Sequence, residues 1–223
     1  MNGTRKFLVF APHADDAELG MGGMLYDHNV SEKRVVIMAT GSYRRFDGMF
    51  VSAKEREEEA RSALAILGVT NVAFARSFEE NRSTEEPFVQ IVQTIEKHIA
   101  IFRPTDVFVS LPSFNQDHRR LFDAFIAATR PGACDWVQAL YAYEYPGNAW
   151  GPPTPEWGKT YVPLSTRSLR AKMTAIEAHK SQWEGRGTTH VGPAGALQLS
   201  FLRGSECGHT NAELLYQLRG RFQ

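Results

Sequence analysis

An alternation along the chain constrains its fold most. Short runs rich in β-branched and aromatic residues, at 6–11, 34–40, 71–75, 105–111 and 138–145, are separated by stretches with helical periodicity. The helical pattern is clearest over 52–67, where Ala60, Leu64 and Leu67 share a stripe and Gly68 stops the helix; 84–102 and 117–129 are similar. Strands that alternate with such helices need right-handed crossovers, and the helices must cover both apolar faces of the sheet. The expected architecture is therefore α/β: a Rossmann-like, mostly parallel sheet with helices on both faces, in a single domain over residues 1–223. In such sheets the functional crevice lies beyond the carboxyl ends of the strands. Three segments qualify, 12–18, 41–47 and 112–118.

The 223 residues carry 25 Lys plus Arg against 25 Asp plus Glu, a net charge of zero. That balance lacks the electrostatic footprint of a protein that binds nucleic acid or anionic membrane, and it favours a small-molecule partner. An apolar fraction of 43% is enough for a sizeable core. No run approaches the roughly 18 apolar residues of a membrane span, and the apolar run near the N-terminus is too short for a signal peptide, so the expected location is the cytoplasm. Cys134 and Cys207 have no metal-like spacing and read as small buried hydrophobes in a reducing compartment. Over 146–163, five prolines with Trp150 and Trp157 exclude regular helix or central strand. This stretch is expected to be a long loop whose aromatics either close over a ligand or pack on a second subunit of a homo-oligomer.

Directly after the first strand comes Pro12-His-Ala-Asp-Asp-Ala-Glu18, followed by Leu19 and glycines at 20, 22 and 23. Consecutive Asp15 and Asp16 must project in different directions where the backbone turns. One carboxylate can join the His13 imidazole on a metal while the other takes a proton from an activated water. A plain helix cap, stabilising by about 1 kcal/mol, needs one carboxylate and no histidine. A phosphorylatable receiver domain also places an acidic pair here, but the later strand in which it needs its phosphoacceptor, 72–77, holds no Asp. A dinucleotide site needs Gly-x-Gly-x-x-Gly directly after the strand, and these glycines, in Leu-Gly-Met-Gly-Gly, instead suit close packing of helix on sheet. After the fourth strand, Asn115-Gln-Asp-His118 places polar chemistry at the same sheet edge. His118 completes a His, Asp, His set with open positions for water and substrate, as catalytic zinc sites require, and Asp117 is a candidate carboxylate behind the ligands.

These residues resemble the LmbE-like, or PIG-L, family of metal-dependent N-deacetylases. The resemblance is carried by Pro12-His-Ala-Asp-Asp-Ala-Glu-Leu-Gly20, Arg56-Glu-Glu-Glu59 running to Leu67-Gly68, Gln116-Asp-His118, Lys172 and His179-Lys-Ser-Gln182, with a weaker echo at Ala212-Glu213. It implies a Rossmann-like fold, zinc held by His13, Asp16 and His118, Asp15 as general base, and removal of acetyl groups from N-acetylglucosamine units on various carriers. It also turns Arg56 into a substrate contact that Glu59 anchors; by pattern alone Arg56 belongs to a solvated helix face. Many members carry a histidine where this chain has Asn115. An amide can donate a hydrogen bond to an oxyanion but cannot protonate a leaving amine, so Asn115 is the candidate oxyanion donor and Asp15 the group for both proton transfers. Ala14 likewise replaces the usual proline. A His2Asp set also accommodates Fe(II) or Mn(II). His179 and Gln182, one turn apart, are open to substrate-binding, supporting or purely structural roles. Arg44-Arg45 and Arg119-Arg120 suit an anionic substrate group if they converge on the mouth. Two alternatives stay open beside an N-deacetylase: a metal-dependent hydrolase of another N-acyl amide or O-acetyl ester, and a non-catalytic metal-stabilised binding protein.

Overall fold

The computed structural model of the chain describes residues 5–27, 30–45, 47–150, 157–184 and 190–221. In chain order the elements are β1 (Lys6–Ala11), α1 (Asp16–Asp27), β2 (Glu32–Ala39), β3 (Tyr43–Arg44), β4 (Phe50–Val51), α2 (Ala53–Ile66), β5 (Asn71–Phe78), α3 (Phe88–Phe102), β6 (Asp106–Ser110), α4 (Gln116–Ala128), β7 (Ala139–Tyr143), β8 (Gly158–Pro163), α5 (Thr166–Glu177), α6 (Lys180–Trp183), α7 (Pro193–Cys207) and β9 (Ala212–Gly220). Seven strands form one sheet in the order β5-β2-β1-β6-β7-β9-β8. The first five run parallel, while β9 pairs antiparallel with both β7 and β8. The expected mostly parallel α/β architecture is what the chain adopts.

Strand β1 shows why both faces must be covered. Leu8 and Phe10 enter one core with Ile91, Ile95, Ile99 and Phe102 of α3 and Leu121 and Phe125 of α4. Phe7, Val9 and Ala11 enter the other, with Met21 and Leu25 of α1, Ala60 and Leu64 of α2 and Ala175 of α5. A strand with two buried faces reads as one apolar run rather than an alternation. On α3 the spacing of four and three residues from Ile91 to Phe102 lines a single stripe. α1 lies so close to the sheet that a Cβ on Gly20 would meet the Tyr143 ring at 2.2 Å, which explains the glycine there. Met21 breaks the helical ladder (φ −139°, ψ 23°), and the buried Glu213 carboxylate accepts the freed N–H groups of Gly23 and Met24 at 2.9 and 2.8 Å while pairing with Lys172 at 2.7 Å.

The stretch 146–163 differs from the expected continuous loop. It opens as a 3-10 turn, Pro146–Trp150, and closes as β8 at the edge of the sheet, where terminal Pro163 removes no inner ladder bond. Trp157 stacks on Phe122, with ring centroids 5.6 Å apart, so this aromatic is spent inside the molecule. Pro152, Pro153, Pro155 and the Trp150 side chain lie outside the described residues. Both cysteines are free, Cys134 buried and Cys207 half-buried. Among the described residues no helix is long and apolar enough to cross a membrane.

The chain leaves β1 toward β2 on one side, and β6 fills the place on the other side. The carboxyl ends of β1 and β6 therefore border a crevice where strand order reverses, the place at which open α/β sheets bind ligands.

Candidate metal centre and adjoining cleft

Both polar segments open onto that crevice. Beyond β1 the chain turns so that the Asp16 Oδ2 reaches back to accept the His13 backbone N–H at 2.9 Å, which ties off one free donor at the start of α1. The same Oδ2 lies 3.3 Å from His13 Nδ1 and 3.3 Å from His118 Nε2. One ligand atom each from His13, Asp16 and His118 lies within 4.8 Å of the others, and all three residues are buried. His118 arrives in the first turn of α4, its ring stacked on Tyr145 at 4.8 Å, and the Tyr145 hydroxyl binds Ser113 at 3.1 Å. The fully buried Asp117 accepts from His13 Nε2 at 3.0 Å. That bond uses Nε2 as the donor and turns Nδ1 toward the cluster, where a metal ion would take the place of its proton.

The charges fit a cation. Burial lowers the basicity of the His13 imidazole, yet Asp117 and Asp16 overcome it and raise its pKa well above the ordinary value. Burial likewise raises Asp16, but His118 and His13 hold it well below the usual carboxylate range. Asp117 is also lowered: burial works against it, and His13, Ser83 and Asn81 outweigh burial. Two buried carboxylates thus draw a positive charge into the cluster, a proton on His13 or a metal ion that displaces it. Two imidazoles and a carboxylate are a donor set suited to zinc, with room for further ligands.

Asp15 is half-buried beside this cluster, and among the described residues its carboxylate accepts no hydrogen bond. Burial and the neighbouring Asp16 raise its pKa, against the pull of His179, Arg56 and His13. His179 is buried and bonds Glu18 through Nε2 at 3.1 Å. Its Nδ1, like Gln182 Nε2 one turn later, is buried without a hydrogen-bond partner among the described residues. The 179–182 turn is held from outside by Glu59, which accepts from Ser181 N and Oγ at 2.8 and 2.6 Å, and by Tyr43, which donates to Ser181 O at 2.7 Å. Glu59 therefore anchors this turn, in place of the Arg56 that the resemblance assigned to it. Arg56 is buried, pairs with Glu80 and places its guanidinium 5.2 Å from the Tyr43 ring centroid.

Asn115 is the N-cap of α4. Its Oδ1 accepts the Asp117 N–H at 2.8 Å, and its Nδ2 donates to Asn81 Oδ1 at 3.2 Å, leaving one amide hydrogen uncommitted among these contacts. The arginine pairs do not converge. Arg45 binds Asp47 and Glu184, Arg44 binds Gly48 O, Arg119 donates to the carbonyls of Ser113 and Phe114, and Arg120 reaches Glu86 O.

Beside the cluster runs a cleft of about 1110 Å³, lined among others by Tyr43, Lys54, Arg76, Glu80, Asn81 and Gln182. That is slightly above the volumes that small-molecule sites usually occupy, about 300–1,000 Å³. Glu18 lay within the singled-out 12–18 segment, but its contact with His179 was not legible there. Sequence reasoning missed Glu80, Asn81 and Tyr145. Tyr145 follows the carboxyl end of β7 and was open to the strand-end rule; the other two are found only through contacts distant in sequence.

The GlcNAc-PI de-N-acetylase (PIG-L) family profile matches residues 8–129, which include all three clustered residues. No curated protein sequence matches the chain. Among solved structures, a conserved protein from Thermus thermophilus is 24% identical with a TM-score of 0.75, over 97% of this chain and 96% of its own. The N,N'-diacetylchitobiose deacetylase of Pyrococcus horikoshii is 21% identical with a TM-score of 0.72, over 96% and 84%. The 4-carboxy-2-hydroxymuconate hydratase of Pseudomonas putida is 21% identical with a TM-score of 0.72, over 99% and 98%. These likenesses establish a shared fold.

Proposed function

Because the chain belongs to the PIG-L family, described as GlcNAc-PI de-N-acetylase, we propose that it is a metal-dependent N-deacetylase. It hydrolyses the acetamide of an N-acetylglucosamine-type sugar or sugar conjugate, with zinc held by His13, Asp16 and His118. The observation that carries this reading is the compact three-donor cluster beside Asp15, a carboxylate that no hydrogen bond engages among the described residues. A divalent ion in such a set polarises a carbonyl and lowers the pKa of water from about 15.7 to about 7, worth roughly 12 kcal/mol at about 1.36 kcal/mol per unit. The Asp15 carboxylate takes the proton from the attacking water and returns it to the amine nitrogen as the carbon–nitrogen bond breaks, so no separate acid is required. Asp117 holds the His13 tautomer. The free amide hydrogen of Asn115 serves the developing oxyanion, Gln182 at the cleft wall is a donor to the sugar, and Arg56, buried behind the cleft against Glu80, is the second substrate contact.

Acetate release from N-acetylated sugars and their conjugates, set against N-acyl amino compounds and O-acetyl sugars, tests the substrate class. Metal analysis of the purified protein tests the ion, zinc against Fe(II) and Mn(II). Preference for a substrate without an amino sugar would defeat the sugar assignment and leave the hydrolase. Because the fold also serves a hydratase, the panel includes an unsaturated tricarboxylate, whose hydration in place of acetate release would defeat the deacetylase reading itself.

A further inference from the structure

The loop between β5 and α3 bonds Asn115 and the first turn of α4 at four points among the described residues, three of them through Asn81. The Asn81 N–H donates to Asp117 Oδ2 at 2.5 Å, the oxygen that also accepts from His13 Nε2. Its carbonyl accepts from Gln116 Nε2 at 2.8 Å, and its side-chain oxygen accepts from Asn115 Nδ2 at 3.2 Å. The fourth contact is Ser83 N, which donates to Asp117 Oδ1 at 3.2 Å. Among the described residues, the Asp117 carboxylate therefore accepts its hydrogen bonds from His13 and this loop alone. The loop can point both N–H groups at that carboxylate because Asn81 takes a left-handed backbone, φ 65°. Few residues other than glycine tolerate this conformation, and asparagine is foremost among them. Arg103, also left-handed, closes the end of α3; Asn81 ends no helix, so its conformation serves the contacts it makes.

We infer that Asn81 is a positioning residue for the metal centre: its left-handed backbone aims the Asp117 carboxylate at His13 Nε2, which turns His13 Nδ1 toward the ion. This rests on the ligand reading above. Asn81 touches no ligand directly, and it acts through Asp117. Carboxylates behind histidine ligands typically account for about 10- to 100-fold in metal affinity, so an Asn81 substitution that misaims Asp117 falls in that range.

A series at position 81 tests this, with Asn81→Gly, Asn81→Ala and Asn81→Val ordered by rising cost of the left-handed conformation. The zinc Kd is read by chelator competition, the cobalt(II) absorption bands report ligand geometry, and the Tm of the metal-free protein reports folding. Expected are a glycine variant within about threefold of the starting Kd, a valine variant weakened about tenfold or more with shifted cobalt bands, and alanine between them. If Asn81→Val does not fold, Asn81→Gly and Asn81→Ala carry the comparison. Zinc affinity and cobalt spectra that stay constant while the metal-free Tm falls would overturn the inference, since they reduce Asn81 to a structural residue. If the unsubstituted protein binds metal and the series is flat, the inference fails and the ligand assignment stands. Failure of the unsubstituted protein to bind any metal removes both.

Discussion

The carboxyl end of β1 holds a buried histidine and the flank of the same strand under α3 a half-buried one, and the two differ sharply in charge. At the strand end burial opposes protonation of His13, and Asp117 and Asp16 reverse it. On the flank His98 meets Phe10 edge-on, with centroids 6.3 Å apart, and burial, Arg34 and Lys97 all push the same way, holding its pKa at about 4. Burial joined by cationic neighbours makes a neutral packing residue. Carboxylates arranged to outweigh burial make a place that demands a cation, and of the two only the strand end has them.

Breaking that contrast at the strand end should give the largest effects. His13→Ala, Asp16→Ala and His118→Ala should each purify without stoichiometric metal, whereas Asp15→Ala should keep its metal and lose about 10²- to 10⁴-fold in turnover. A metal-free Asp15 variant beside a loaded Asp16 variant would exchange their roles. Asn115 sharpens the picture, because capping and oxyanion stabilisation use different atoms of one side chain. Asn115→Asp keeps the capping oxygen and removes the amide donor, so turnover should fall about 10²- to 10³-fold with Tm little changed. Wild-type turnover in that variant would restrict Asn115 to the helix cap.

Farther from the ion, Gln182→Ala should raise KM by about 2- to 10-fold with kcat unchanged, as expected for one hydrogen bond worth about 0.5–1.5 kcal/mol made equally in ground and transition states. A fall in kcat at constant KM would place Gln182 at the reacting group instead. The smallest effect belongs to the flank. His98 titrates near about 4 in the folded chain and near about 6.5 when unfolded, so between those values the unfolded state holds more protons and stability rises with pH. The contribution is complete above about 6.5 and is lost as pH falls toward about 4. In His98→Gln the decline of Tm across this window should be shallower, and an unchanged slope would show that other groups set it.

Much of this was legible in the residues themselves, since strand runs, helix stripes and strand-turn-helix chemistry depend on neighbours a few positions apart. The pattern at 6–11 followed by His13 to Asp16 pointed to a ligand-bearing turn, and 105–111 followed by His118 pointed to a second one. That the two should meet required β1 and β6 to be adjacent, which the expected parallel sheet allowed but did not demand. The tertiary structure decided that adjacency and, with it, the switch point. It also decided what no local pattern encodes: β8 and β9 as the antiparallel edge, Glu213 closing the break in α1 from about 190 residues away, Glu18 against His179, and Asn81 against Asp117. The physical reason is common to all of them. A backbone N–H left free by a kink or a loop, or a buried imidazole, must find a partner wherever the fold brings one, and sequence distance places no limit on which residue that is.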